Sequence, residues 1–251
     1  MLENRYYAIQ VFSNEWWNNI LATIIAIVLL LWFASLVLKR DKVYILNLLL
    51  GSCLILRHVW FQWYQLKIGT WNVEWSLPIQ MCSLSSLLSG VIPLLINFNV
   101  NKKTVQGLFE FLFYCSIGGF YSILTPVFTA GTDPLIYLDY YISHGGIVFI
   151  PLYLYFILGY RPRKRSWLKI FFYGQPLLVV IHIINLIIGG QSNYFYTMEP
   201  PIADNPLVMG SYPYHIFILN GLGLIHFWVL YIISTKSSYL LQKIQNLVYK
   251  T

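Results

Sequence analysis

Apolar stretches of membrane-spanning length follow one another along almost the whole chain, and this feature restricts the fold more than any other. A helix needs about 20 apolar residues to cross the hydrocarbon core of a bilayer. Because lipid offers no hydrogen bonds to the backbone, such stretches form helices. Seven stretches meet or approach the required length, near residues 17–38, 43–65, 77–97, 105–128, 141–160, 167–190 and 216–234. The sequence therefore predicts an all-α, polytopic membrane bundle with about seven transmembrane helices.

Composition agrees with a single membrane domain. Of the 251 residues, 58% are hydrophobic and 10% are charged, whereas roughly 25% of the residues are charged in an ordinary soluble domain. The spans leave no room for a sizeable soluble domain, so we expect one integral membrane domain over residues 1–251. After the last span, apolar residues recur at helical spacing beside Lys243 and Lys250. This pattern predicts an amphipathic helix over 237–250 on the membrane surface, although a frayed tail is the alternative.

The charges in the connections predict the orientation. Alternate connections are basic and carry Lys39, Arg40 and Lys42, then Lys102 and Lys103, then Arg161, Arg163, Lys164 and Arg165, and finally Lys236, Lys243 and Lys250. The other connections carry mainly acids, namely Glu74, Asp133, Asp139, Glu199 and Asp204. The positive-inside rule then places the N-terminus outside and the C-terminus inside a cell membrane. Because the basic residues form no continuous face, nucleic acid is not an expected partner.

Polar side chains within the predicted spans concentrate in the outer half of the bundle. Ionisable groups are costly in lipid, at about 2.5–3.5 kcal/mol for an arginine at a helix centre, and they usually face the bundle interior. Five different helices contribute to this set, which contains Arg57, His58, Gln80, Cys82, Ser143, His144, His182, Asn185 and Asn220. Their convergence predicts a polar chamber open toward the outer leaflet. A bend in the sixth span at Gly174 and Pro176 is expected to help shape it.

Cys82 is the candidate nucleophile of this chamber. A free thiol is mostly protonated at neutral pH and needs a base, which His144, His182 or His58 could supply. Arg57 could bind a lipid phosphate or hold a carboxylate. Ser85 shares the helix face of Cys82, whereas Gln80 points elsewhere and is at most a supporting residue.

Structural roles compete with each of these assignments. A buried free cysteine is most often a small packing residue, and a membrane histidine is more often a hydrogen-bonding link between helices. Zinc binding would need an HxxxH or HExxH spacing that the sequence lacks, so no metal is expected. No cofactor motif is visible either. The connection from 191 to 215, rich in proline and tyrosine, is either a lid over the chamber or an aromatic belt in the headgroups.

Three short stretches carry a resemblance to a known family. They are LPIQMCSLS over 77–85, YISHGGI over 141–147, and the pair Asn193 and Tyr194. In these stretches and in span order the chain resembles the YwaF-type bacterial integral membrane proteins. These proteins are grouped with the animal transmembrane protein 164, which is regarded as a phospholipid acyltransferase that uses a cysteine.

The resemblance implies that Cys82 is the acyl-accepting nucleophile and that His144 is its base, with Asn193 in a supporting role. Many bacterial members have histidine where this chain has Gln80. If that histidine takes part in the chemistry, His58 or His182 must replace it here.

Three hypotheses on function remain open from the sequence. The first is a lipid acyltransferase or thiol hydrolase near the outer leaflet, with membrane phospholipids as substrates. The second is a small transporter or ligand-binding protein whose chamber binds an anionic solute. The third is a structural membrane protein without catalysis. The sequence identifies no protein partner.

Overall fold

The computed structural model describes residues 7–38, 42–128, 131, 133–201 and 210–248, with side chains described as far as residue 237. The described chain contains seven α-helices, which are α1 Asn14–Leu38, α2 Val43–Lys67, α3 Met81–Asn97, α4 Lys102–Leu124, α5 Pro134–Phe156, α6 Ser166–Ile188 and α7 Tyr214–Val248. Six of them are long and apolar enough to cross a membrane, and α3 is a shorter apolar helix of 17 residues. The predicted all-α membrane bundle is confirmed.

Helices α4 and α5 form the centre of the bundle. Helix α5 packs against α1, α2, α3 and α4, and its residues Ile147, Ile150 and Leu154 are fully buried against Phe109 and Leu112 of α4. Helices α6 and α7 pack on each other and against α4. Many large apolar side chains on the outer faces remain exposed, as expected for a surface that contacts lipid tails. The arrangement leaves space between α2–α5 and the α6–α7 pair.

Three helix ends lie away from the predicted span boundaries. Helix α3 begins at Met81, after a turn that contains Pro78. Helix α4 ends at Leu124 because Thr125 precedes Pro126, and a residue before proline disfavours the helical conformation. Helix α5 begins at Pro134, well before residue 141.

The start of α5 has a clear cause in its capping residue. The Asp133 side chain accepts hydrogen bonds from the backbone N–H groups of Leu135 and Ile136, at 2.9 and 3.4 Å. Pro134 then occupies the first helical position, where its missing N–H costs nothing. The prediction that Asp139 lies in a connection is therefore wrong, because this residue sits inside α5.

An ion pair between an exposed arginine and a buried carboxylate joins α4 to the α5–α6 connection. Glu110 is 2% exposed and accepts hydrogen bonds from the backbone N, Nε and Nη2 of Arg163, at 2.8, 2.9 and 2.7 Å. Hydrogen bonding to this carboxylate raises the pKa of the Arg163 guanidinium. Gln106 donates a further bond to Glu110 at 3.1 Å. Glu110 thus acts as a structural link between α4 and the α5–α6 connection.

The segment before α1 is fixed at the opposite end of the bundle from Arg163, where α4 ends and α5 begins. A two-residue strand β1, Tyr7–Ala8, pairs antiparallel with β2, Val127–Phe128. Glu15 accepts hydrogen bonds from the hydroxyl groups of Tyr7 and Tyr137, at 2.8 and 2.9 Å. The bond to Glu15 raises the pKa of the Tyr7 hydroxyl. These contacts bind the start of α1 to the α4–α5 junction.

The last helix continues past its membrane-spanning part without a break. Helix α7 runs to Val248, so the chain is helical over most of the predicted amphipathic segment 237–250. The side chains of 238–251 and the backbone of 249–251 lie outside the described residues. The amphipathic character of this segment stays a prediction, as does the orientation of the two termini.

Candidate functional site

A cavity of about 1100 Å³ lies at the end of the bundle where α2, α4 and α6 end and α3, α5 and α7 begin. Six helices contribute to its wall, together with parts of the connections around residues 74–80 and 189–201. Most of the candidate residues from the sequence line it, namely Arg57, His58, Gln80, Cys82, Ser143, His144, Asn185, Asn193 and Asn220. The structure thus brings these polar residues of five helices and two connections to a single space.

Cys82 is the second residue of α3 and faces α4. Its sulfur lies 3.8 Å from Ser122 Oγ, and Ser122 donates to the Gly118 carbonyl one turn earlier on α4. The side chain of Gln80 does not cap α3, because its oxygen accepts a hydrogen bond from Phe195 N instead. The first N–H groups of a helix carry partial positive charge, which favours negative charge at a group beside them.

His144 lies on α5 with a defined tautomer. Its Nδ1 is 2.7 Å from the Tyr140 carbonyl oxygen, and a carbonyl can only accept, so the proton sits on Nδ1. The lone pair of the neutral ring is then on Nε2, where a general base needs it. The Tyr140 ring packs against the imidazole with centroids 4.1 Å apart.

Ser122 and Tyr140 connect the two candidate catalytic residues. The Tyr140 hydroxyl donates to the Ser122 carbonyl oxygen at 2.8 Å, while the Ser122 side chain contacts Cys82 and the Tyr140 backbone contacts His144. Within the described part of the chain, no direct hydrogen bond joins Cys82 to His144. They therefore line one cavity and are connected indirectly, since Cys82 contacts Ser122, Ser122 bonds to Tyr140, and Tyr140 bonds to His144.

Arg57 holds a carboxylate, which is one of the two partners that the sequence suggested. Its Nη1 lies 2.7 Å from both carboxylate oxygens of Asp139, and its Nη2 donates to Ser86 Oγ at 2.9 Å. Ser143 donates to the same Ser86 hydroxyl at 3.3 Å. The side chains of Arg57 and Asp139 are 12% and 5% exposed. The pair links α2, α3 and α5 and leaves the guanidinium charge neutralised.

Two candidate residues lie away from the cavity wall. His182 stacks near Tyr212, with ring centroids 6.4 Å apart, and its Nδ1 is buried without a partner among the described residues. Ser85 is buried, and its hydroxyl also lacks a described partner. The geometry therefore favours His144 over His182 as the base. The described residues contain no group of three or more His, Cys, Asp or Glu side chains that could hold a metal ion.

The described part of the connection after α6 folds back over the cavity. Asn185 fixes it from α6, because its amide donates to the Tyr194 carbonyl and to Thr197 Oγ1, and its oxygen accepts from Ser192 Oγ and Tyr194 N. The Tyr194 hydroxyl donates to the Val73 carbonyl at 2.7 Å. These contacts favour the lid interpretation over an aromatic belt for this part; residues 202–209 lie outside the described chain.

Asn193 and Asn220 also have structural partners. The Asn193 oxygen accepts from the backbone N–H groups of Met198 and Glu199, both at 3.1 Å, and so shapes the turn of the lid. Asn220 on α7 accepts from Gln175 Nε2 on α6 at 3.1 Å. Both asparagines therefore support the cavity wall, with side chains already engaged in hydrogen bonds.

Sequence reasoning missed the two residues that connect Cys82 to His144. Tyr140 lies four residues before His144 and hence on the same helix face, which is a signal that the sequence offered. Ser122 gave no such signal, because its role depends on how α3 packs against α4. Tyr121 was missed as well; its hydroxyl lies 2.7 Å from Nε2 of His226 and so links α4 to α7.

The fold and the cavity define the chain as a multi-pass helical membrane protein with a thiol and an imidazole at one polar cavity. Within that class the chain belongs to the TMEM164 family, whose family model matches residues 11–231. The match covers every residue of the cavity wall and confirms the predicted relation to transmembrane protein 164. No curated protein and no solved structure matches the chain.

Proposed function

We propose that this protein is a membrane-embedded lipid acyltransferase or thiol hydrolase in which Cys82 is the nucleophile and His144 the general base. The observation that carries the proposal is that both residues line one cavity and contact the same Ser122–Tyr140 link. The tautomer of His144 supports it, because Nε2 is the nitrogen left to take a proton. Both residues also belong to the stretches that carry the family resemblance.

The reaction proceeds in two steps. In the first step, His144 Nε2 accepts the thiol proton, and the Cys82 sulfur attacks the ester carbonyl carbon of a phospholipid. The ester C–O bond breaks, the leaving alkoxide takes the proton from His144, and a lysophospholipid departs from a thioester on Cys82. In the second step, an acceptor hydroxyl gives its proton to His144 and attacks the thioester. The C–S bond breaks, and the Cys82 thiolate recovers the proton. Water as the acceptor gives hydrolysis.

The separation between Cys82 and His144 places a condition on this mechanism. Because no direct hydrogen bond joins them, one water molecule or a small side-chain rotation must complete the pair when the substrate binds. Catalytic hydrogen bonds are often long in ligand-free enzymes and tighten in the substrate complex. Both side chains already line the same cavity.

Arg57 acts in this proposal as a positioning residue. It reaches from α2 to Ser86, one turn after Cys82 on α3, and to Asp139 on α5. The ion pair thereby holds the helices of the nucleophile and of the base together. Because Asp139 neutralises the charge of Arg57, Arg57 is not a free cation. This weakens the transport hypothesis, which depended on a free cation to attract an anionic solute.

The test is covalent labelling of the purified protein in lipid nanodiscs with a phospholipid that carries an alkyne on its acyl chain. We expect wild-type protein to gain a label that neutral hydroxylamine removes, Cys82→Ser to gain none, and His144→Ala to gain it much more slowly. Cys53→Ser is the matched control, because Cys53 is an exposed free cysteine that does not line the cavity and should be dispensable. Equal labelling of all four proteins would refute the proposal and leave the ligand-binding and structural hypotheses.

A further inference from the structure

The cavity has a second, apolar part that extends away from Cys82 between α4, α6 and α7. Its lining on α4 includes Phe111, Cys115, Gly118 and Ser122, which recur every three or four residues and so form one stripe. Eleven residues separate Ser122 from Phe111, which at about 1.5 Å per residue is roughly 16 Å. We call this part of the cavity the acyl slot.

The other walls of the acyl slot are mainly apolar. Helix α6 contributes Ile170, Phe171 and Gly174, and helix α7 contributes Gly223 and Phe227. The polar side chains beside them bond to each other in two pairs, Gln175 with Asn220 and Tyr121 with His226. The charged residues of the cavity lie at its other part, near Cys82 and the lid. A molecule that fills the whole cavity therefore has a polar part and a long apolar part.

Each of the three helices places one glycine on the acyl slot with open space in front of it. A Cβ atom built on Gly118, Gly174 or Gly223 meets no other heavy atom within 4 Å. The helices therefore do not need these glycines for close packing against each other. What the three glycines share is the empty space of the slot that they line.

We propose that the acyl slot holds the acyl chain that is transferred to Cys82, and that Gly118, Gly174 and Gly223 determine how long that chain can be. The inference rests on the proposed function and specifies its substrate as a long-chain phospholipid. The slot length of roughly 16 Å is about half of the ~30 Å hydrocarbon core, which is the span of one lipid tail. Ser122, the neighbour of Cys82, lies at the start of the slot. The acyl chain of a thioester on the Cys82 sulfur therefore extends into the slot.

The chain offers matched controls for these glycines. Gly107 on α4 and Gly221 on α7 also have no heavy atom within 4 Å of an added Cβ, but neither lines the cavity. Replacing Gly118 or Gly223 by leucine places a branched side chain in the slot. The same replacement at Gly107 or Gly221 adds it elsewhere on the same helix.

The first experiment compares palmitoyl and octanoyl phospholipids as alkyne-labelled donors. We expect Gly118→Leu and Gly223→Leu to lose palmitoyl labelling by about tenfold or more, because overfilling an apolar space is costly, and to keep octanoyl labelling within about twofold. Gly107→Leu and Gly221→Leu should match the wild type with both donors. An unchanged preference in all four variants, with Cys82 labelled as before, would overturn the slot and leave the proposed function standing.

The second experiment does not depend on catalysis. Cys82→Ser protein is mixed with a palmitoyl-length ether phospholipid, which has no ester to cleave, and which carries a diazirine at the end of its chain. Irradiation should attach it near Phe111 and Ile170, and Gly118→Leu in the same background should abolish those adducts while Gly107→Leu retains them. Adducts there without any thioester in the labelling assay would support the slot and refute the chemistry. Adducts only on lipid-facing residues would refute the slot.

Discussion

Replacing Asp139 with leucine tests the largest buried electrostatic interaction of the cavity. The Arg57 and Asp139 side chains are 12% and 5% exposed, and Nη1 lies 2.7 Å from both carboxylate oxygens. Asp139→Leu leaves the guanidinium buried with only the neutral Ser86 hydroxyl as a partner. Removing one member of a buried pair typically costs about 3–5 kcal/mol, because the remaining charge is uncompensated. We expect the free energy of unfolding to fall by that amount.

The matched double variant separates the cost of an unpaired charge from the cost of lost packing. In Arg57→Met combined with Asp139→Leu no charge remains, and the free energy of unfolding should return to within about 1 kcal/mol of the wild-type value. The assay is unfolding by SDS in mixed micelles, followed by far-ultraviolet circular dichroism, with the coupling taken from the four proteins of the cycle. A double variant at least as unstable as Asp139→Leu would refute the reasoning.

Three further predictions follow from other contacts. Glu110→Gln removes the charge that binds Arg163, so it should lower the free energy of unfolding by about 1–3 kcal/mol. It should also speed tryptic cleavage at 161–165, and unchanged cleavage would contradict this prediction. Asn185→Ala removes four hydrogen bonds to the lid, so amide exchange over 192–197 should rise while α4 is unaffected. With the native cysteines replaced, Asn72→Cys should react with an impermeant maleimide on intact cells and Asn99→Cys only after permeabilisation; the opposite pattern would reverse the proposed orientation.

The helices could be predicted from the sequence because lipid makes hydropathy a strong signal. Their ends depended on local chemistry that a hydropathy window does not register. Asp133 followed by Pro134 is a capping signal, and using it would have placed Asp139 inside α5. The clustering of these polar residues at one end of the bundle was predictable in the same way, since counting residues from a helix end gives depth.

The partners within the cluster were not predictable from one sequence. Arg57 and Asp139 are 82 residues apart, and Cys82 and Ser122 are 40 apart. Such contacts depend on which helices pack together and at which rotation. Sequence position gives the depth of a residue but not the direction of its side chain. His182 and Cys82 therefore looked equivalent, although of the two only Cys82 lines the cavity.

The contacts that fix the start of the chain to the α4–α5 junction form late in synthesis, which has a consequence for biosynthesis. Glu15 and Tyr137 are hydrogen-bonded although they are 122 residues apart in sequence. Strand β1 likewise pairs with β2, which lies at a similar separation in sequence. At roughly 5–20 residues per second, the ribosome needs about 6–24 s to make that stretch. The first helix therefore enters the bilayer well before its partners exist. Truncations that stop translation before α5 should leave α1 inserted but unassembled.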